Sequence, residues 1–316
     1  MKIKYNRYIA PGRLLLTVLL LDATVGCSGD HDGRSIGETE IVLQSVTNTE
    51  TGTIHGEATG FSVGDTLFFA RGNTPGVYGD TWKACLETGG RTELLETHYY
   101  PADNSPVYLR GYYPGAQRST DNRLHYTLDG SQDLMLSNEQ SGRLTDMFWQ
   151  ETKSFRFEHL LTQLRFEVKA DSTAWEKGLV IRALQIGGSR RQAVLDLEKE
   201  QLAFEGETGL LTAYSESEPD KEMLRLDTTF TVVPGRVTVE PGVSLFLTLR
   251  TQDAEGREVS YERMPVFFHT PDGVSGAGVS YLLRVTLDSE AGLKLWSEVT
   301  PWQQGGNGNG IIYSLF

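Results

Sequence analysis

Phe155-Arg156-Phe157-Glu158-His159-Leu160-Leu161-Thr162-Gln163-Leu164-Arg165-Phe166-Glu167-Val168-Lys169 is the stretch that decides the fold. Phe155 and Phe157 alternate with Arg156 and Glu158. Leu164, Phe166 and Val168 alternate with Arg165, Glu167 and Lys169. A period of two marks a strand with one buried face, whereas a helix returns its apolar residues every three or four positions. The same alternation carries Tyr281, Leu283, Val285 and Leu287, and also Leu245, Leu247 and Leu249. Residues 230–233 and 237–239 are shorter runs of this kind, and residues 66–70 and 106–112 are rich in β-branched or aromatic side chains. Turn signals separate the runs: Pro114-Gly115, Asp129-Gly130, Pro234-Gly235, Pro241-Gly242 and Pro271-Asp272-Gly273. One short helical turn is expected at residues 174–177, with Trp175 facing inward. Residues 137–146 lack apolar periodicity and read as a polar loop. Many short strands with frequent turns predict an all-β chain made of sandwiches.

Length sets the number of sandwiches. The 316 residues are too many for one and suit two domains of roughly 130 to 150 residues. The expected division is 37–154 and 155–316. Hydrophobic residues are 39% and charged residues 22%, which fits packed cores rather than disorder. The net charge is -13; Lys2, Lys4, Arg7 and Arg13 against Asp22 give the first 26 residues +3, leaving -16 on the rest. An acidic body of this kind repels nucleic acid and anionic lipid headgroups, so no nucleic-acid partner is expected.

The N-terminus reads as an export signal. A basic stretch precedes the apolar run of residues 14–21, which is too short for a bilayer core needing about 20 residues. Thr24-Val25-Gly26-Cys27-Ser28 follows and is similar to a lipobox. Residues 1–26 are then a lipoprotein signal peptide, Cys27 the lipidation site and residues 27–36 a flexible acidic tether. Acyl chains on Cys27 would hold the protein to outer-membrane lipid. A plain cleaved signal peptide with an incidental cysteine is the alternative. Beyond the leader no other run of 18 apolar residues occurs, so the body itself is not expected to span a membrane.

Six pieces carry a family resemblance. Phe61-Ser62-Val63-Gly64-Asp65-Thr66-Leu67, Val107 to Pro114 with Gly111-Tyr112-Tyr113-Pro114 at its end, and Asp133-Leu134-Met135 come in order. Phe157 to Leu164, with its Phe-x-His-x-Leu-Thr-x-Leu pattern, is the most specific. Tyr281 to Leu287 and Val299-Thr300-Pro301-Trp302 close the series. In this order the chain resembles the fimbrillins, lipoprotein subunits of type V pili and their surface-exposed relatives. The resemblance covers nearly all of the chain after the leader. It implies two transthyretin-like β-sandwich domains in tandem, a fimbrial location at the outer membrane and cell surface, and polymerisation by strand exchange with other pilus subunits. On that reading Ile41, Val42, Leu43 and Val46 mark a removable N-terminal strand. Ile311, Ile312, Tyr313, Leu315 and Phe316, behind the Gly/Asn-rich residues 303–310, mark a donor strand. Residues 35–70 contain no Lys or Arg. A cut after a basic residue just beyond the first strand is therefore not available, which favours an anchor or tip role over a stalk role.

Enzyme patterns are not found. No G-x-S-x-G, H-E-x-x-H or C-x-x-C occurs, and His31, His55, His98, His125, His159 and His269 lack ligand spacing. No cofactor or metal is expected. His159 reads as a buried, hydrogen-bonded histidine, Cys85 as a small buried hydrophobe, and Gly111 as a point of close approach. The 13 Tyr, 13 Phe and 5 Trp read as core and strand residues. The alternative reading is a monomeric surface lipoprotein that uses some of them to bind a glycan or host ligand.

Overall fold

The alternating runs are strands. A computed structural model describes residues 38–44, 46–48, 61, 63–119, 121–216, 223–290 and 292–300. In chain order the elements are β1 (Val46–Asn48), β2 (Thr66–Gly72), β3 (Asp80–Leu86), β4 (Thr92–Leu94), β5 (Val107–Tyr113), β6 (Gln117–Arg118), β7 (Arg123–Thr127), β8 (Met135–Gly142) and β9 (Phe155–His159). There follow β10 (Thr162–Ala170), α1 (Ser172–Glu176), β11 (Val180–Asp196), β12 (Gln201–Ser215), β13 (Leu224–Arg225), β14 (Thr231–Val232), β15 (Val237–Val239), β16 (Leu245–Gln252), β17 (Glu258–Val266), β18 (Ser280–Asp288) and β19 (Gly292–Thr300). Phe155, Phe157, Leu164, Phe166 and Val168 are all buried, as are Leu245, Leu247, Leu249, Tyr281, Leu283, Val285 and Leu287. The chain is all-β.

Three sheets form. The first has the order β1-β9-β8-β5-β2-β3-β4. The second is β14-β10-β18-β19, with β15 also on β10, and β10 runs parallel to β18 over eight register pairs. The third is β17-β16-β11-β7-β6, with β12 and β13 also on β11. The expected division at 154/155 falls between β8 and its partner β9, since Met135 to Ser137 pair with His159 to Phe157. β7, from the earlier part of the chain, pairs with the far end of β11, from Gln192↔Thr127 to Asp196↔Arg123.

A core of Tyr112, Leu124, Leu136, Leu161 and Leu195, among others, fills the space where these early and late segments meet. A buried cation sits at its edge. Arg110 is only 5% exposed; its Nε donates to the Tyr78 hydroxyl at 2.9 Å and Nη2 to Glu200 at 2.7 Å. The Tyr78 hydroxyl in turn donates to Glu139 at 2.5 Å. A charge this deep persists only with such partners.

Two local expectations need correction. Residues 137–146 are not one loop: Ser137 to Gly142 belong to β8, and only residues 143–146 form a turn. Their polar side chains replace apolar patterning with hydrogen bonds: Ser137 Oγ accepts from the Gly111 N–H at 2.7 Å and Asn138 from the Arg156 N–H at 2.7 Å. Trp175 does not face inward; it is 49% exposed, and Ala174 is the buried residue of α1. Asp171 caps this helix by accepting from the Ala174 N–H at 2.7 Å, and that start turns Ala174 to the core.

Gly111 does mark a close approach. A Cβ there would lie 2.3 Å from the ring of Phe157, which is fully buried. Gly111→Ala is expected to cost about 1–3 kcal/mol, read as a fall in the urea midpoint at unchanged m-value. In a Phe157→Leu background the same change should cost less, because the ring that blocks the methyl is gone.

Candidate functional site

The segment that leads into β1 lies across the core of the first sheet. Ile41 and Leu43 are 2% and 6% exposed, whereas Val42 between them is 51% exposed. Val46 is also buried. Together with Phe61, Leu67, Phe69, Tyr100, Phe148, Phe155 and Phe157 they form one hydrophobic cluster. The segment therefore alternates in space, with Ile41 and Leu43 in the core and Val42 in solvent.

Backbone groups of this segment bond to residues 92, 98, 100 and 148. Ile41 N–H donates to the His98 carbonyl at 2.8 Å, and Tyr100 N–H donates to the Thr39 carbonyl at 3.0 Å. Gln44 N–H donates to the Phe148 carbonyl at 3.2 Å, and the Thr92 hydroxyl donates to the Gln44 carbonyl at 3.1 Å. β1 then pairs parallel with β9, Val46 opposite Phe155. Glu40 and Tyr99 form an isolated antiparallel bridge. Beside the segment, between it and the edge strand β4, runs a cavity of about 480 Å³ lined in part by Ile41, Leu43, Arg91, Glu93 and Leu94. No ladder pairs residues 38–44 with β4.

Rigid aromatics support the seat. Tyr100 stacks on Phe148, with centroids 6.1 Å apart, and its hydroxyl accepts from the Phe148 N–H at 2.7 Å. Burial pushes the Tyr100 hydroxyl above its ordinary pKa, so the phenol stays protonated. The His98 ring lies flat on Trp82 at 3.9 Å. Desolvation holds its pKa below the usual histidine range, which keeps the imidazole neutral at neutral pH.

The energetics are mainly those of side-chain burial. Seating Ile41, Leu43 and Val46 is worth roughly 5–9 kcal/mol at about 1.5–3 kcal/mol for each aliphatic side chain. That is comparable with the whole stability of a typical domain, about 5–15 kcal/mol. A slot of this kind cannot stand empty in water. Another extended apolar segment with the same alternation would satisfy the same side-chain positions and backbone groups.

The remaining sequence candidates divide. Cys27, Trp302 and Ile311, Ile312, Tyr313, Leu315 and Phe316 lie outside the described residues. His159 is buried and its Nδ1 lies 2.9 Å from the buried Asp133 carboxylate, at the end of β9 as expected for a structural histidine. Cys85 is half-buried rather than fully buried; desolvation and then Glu87 push its thiol up, which opposes thiolate chemistry. Among the described residues no group of three or more His, Cys, Asp or Glu is placed to hold a metal ion. No described helix is long and apolar enough to cross a membrane. The seat residues Tyr100 and Phe148 carried no signal in the sequence, since nothing in their local pattern links them to residues 39–44.

Comparison with known proteins follows the same lines. A protein family described as fimbrillin-like matches residues 46–302. A crystal structure of a candidate cell adhesion protein from Bacteroides uniformis is similar to this chain with a TM-score of 0.59 at 18% identity, covering 84% of this chain and 99% of that one. A candidate cell adhesion protein from Bacteroides ovatus gives 0.52 at 12% identity, covering 86% and 100%. A fimbrial protein from Bacteroides vulgatus gives 0.49 at 12%, covering 84% and 99%. No curated protein matches the chain. At these identities the two structures with TM-scores above 0.5 speak to the fold alone. The family match spans most of the sequence and includes β1 to β19. The chain belongs to the fimbrillin-like family.

Proposed function

We propose that this protein is a structural, adhesive and non-enzymatic subunit of a fimbria, exported as a lipoprotein through Cys27, built of two tandem transthyretin-like sandwiches, and joined to other subunits by strand donation. The carrying observation is the first segment, which contributes Ile41, Leu43 and Val46 to the core by alternate side chains. Such a segment is exchangeable in kind, because the core needs an alternating strand and not this covalent one.

In this chain we read the first strand as retained. Residues 35–70 hold no Lys or Arg, and the next basic residue, Arg71, lies inside β2, with β3 on one side and β5 on the other. Cutting there would sever a strand with two sheet neighbours. A retained strand closes the groove to an incoming subunit and supports an anchor or tip position rather than a stalk position. Donation by residues 311–316 would then be its link to the next subunit. The test is the N-terminus of the protein recovered from assembled surface fibres, read by mass spectrometry. A start at acylated Cys27, or anywhere before Ile41, is expected. A start beyond Asn48 would make the groove open and the role that of a stalk.

A further inference from the structure

A second concavity lies on the outer face of the third sheet, on a different surface from the first-segment groove. Its volume is about 560 Å³, within the range of small-molecule sites. Four adjacent strands build it. β16 contributes Phe246, Thr248 and Arg250, which face outward because Leu245, Leu247 and Leu249 face the core. β17 contributes Ser260, Glu262 and Arg263, and β11 and β12 contribute Gln185, Thr208 and Leu210.

The backbone of β17 is bent to make this face. Leu247 pairs with Met264 and Leu249 with Tyr261, so two residues, Glu262 and Arg263, stand opposite the single Thr248. That is a β-bulge. Tyr261 and Met264 pack against the core, and the bulge leaves both Glu262 and Arg263 exposed at the cavity. Arg263 has φ +54°, the left-handed region that a side chain enters at a cost of about 1–3 kcal/mol. Its guanidinium lies 4.0 Å above the centre of the Phe246 ring, and that ring in turn covers Gly187, where a Cβ would lie 2.2 Å from it. The arginine is thus stacked in place rather than loose.

The charge pattern selects a ligand. Neither Arg250 nor Arg263 has an ion-pair partner among the described residues, although acidic residues outnumber basic ones by 42 to 29 in the chain. Glu262 stands beside them, 3.4 Å from the Ser260 hydroxyl. Two guanidinium groups favour an anion, and a neighbouring carboxylate favours a hydroxyl donor next to it. Thr208, Thr248, Ser260 and Gln185 add neutral donors and acceptors. The acidic body disfavours long polyanions. A ligand with one negative group beside several hydroxyls meets these conditions.

We propose that this face binds a carboxylated sugar residue, with Arg250 and Arg263 pairing its carboxylate and Glu262 accepting from an adjacent hydroxyl. The proposal is independent of strand donation, since the first-segment groove contributes nothing to it. The experiment is titration calorimetry of the full-length chain with sialyllactose, with hyaluronan hexasaccharide and with neutral lactose. Saturable binding of at least one acidic probe is expected, about tenfold or more tighter than lactose, since hydrogen bonds to charged groups carry that much. Arg250→Gln and Arg263→Gly should each weaken it by about tenfold. Arg263→Gly removes the left-handed strain, so its melting temperature should hold or rise while binding falls, which a merely structural role would not give. Failure of both acidic probes to bind, equal binding of lactose, or unchanged affinity in both variants would each overturn the proposal.

Discussion

A chain carrying Ile41→Asp and Leu43→Asp is expected to lose cooperative folding of the half built on the first sheet. Both side chains are buried in the cluster that includes Phe69, Phe148 and Phe155. Truncating each to Ala would already cost about 2–5 kcal/mol, and placing a carboxylate there adds a desolvation penalty. The sum matches or exceeds the roughly 5–15 kcal/mol that holds a domain together. Val42→Asp is the control: that side chain is exposed, so its effect should stay within about 0.5 kcal/mol. Urea unfolding followed by near-ultraviolet circular dichroism separates the two, because the aromatic signal of the cluster should vanish in the double variant and persist in the control. A synthetic peptide of residues 38–48 should restore the signal when added to a chain that lacks this segment. If the peptide leaves that chain unfolded, or if the double variant unfolds like the parent, the slot is not exchangeable and strand donation loses its physical basis.

Gly188→Ala should have the next largest effect. Gly188 lies within β11 at φ +98°, and a Cβ there would come within 2.4 Å of the Ser244 carbonyl oxygen. That neighbour is backbone, so it cannot turn aside as a side chain would. Strain at the dihedral and overlap with the chain before β16 together put the cost at about 3–5 kcal/mol. Gly242→Ala supplies the comparison, since its φ is +73° with nothing within 4 Å of the added methyl. It should show the dihedral cost alone, about 1 kcal/mol or a little more. A thermal melt of the two variants measures the difference. Equal melting temperatures would mean that β16 moves away from β11 without cost.

The strands that read clearly in the sequence were those with one face in a core and the other in solvent. Tyr281 to Leu287 has a regular ladder with β19 and, apart from buried Leu282, a clean period of two; Leu245 to Leu249 keeps that period because its bulge lies on the partner strand β17. The long hairpin β11–β12 was not legible. Gly187-Gly188 and Arg190-Arg191 interrupt its alternation, and its ladder shifts register at three places. Each bulge turns the inward face by one residue, so a pattern that is regular in space becomes irregular along the chain. β8 was missed for another reason: its polar side chains bond to neighbours inside the sheet, which pattern reading treats as loop character. Of the candidate groove, the apolar run of Ile41, Val42 and Leu43 was visible as a candidate strand, but which of its faces is buried, and its seat, were not. Tyr100 and Phe148 lie far along the sequence from residues 39–44, and only the folded chain brings them together. The bulge that pairs Glu262 with Arg263 on one face was likewise invisible, because it exists only relative to Thr248.

The length of β11 has a mechanical consequence. It holds β7 at one end through five register pairs and lies beside β16 at the other, with β12 alongside. Antiparallel hydrogen bonds lie across the strand direction. A pull that draws β7 and β16 apart along this axis therefore loads those rungs in shear, all at once, and does not peel them singly. In a fibre under flow, the body would yield later than any joint that opens one rung at a time.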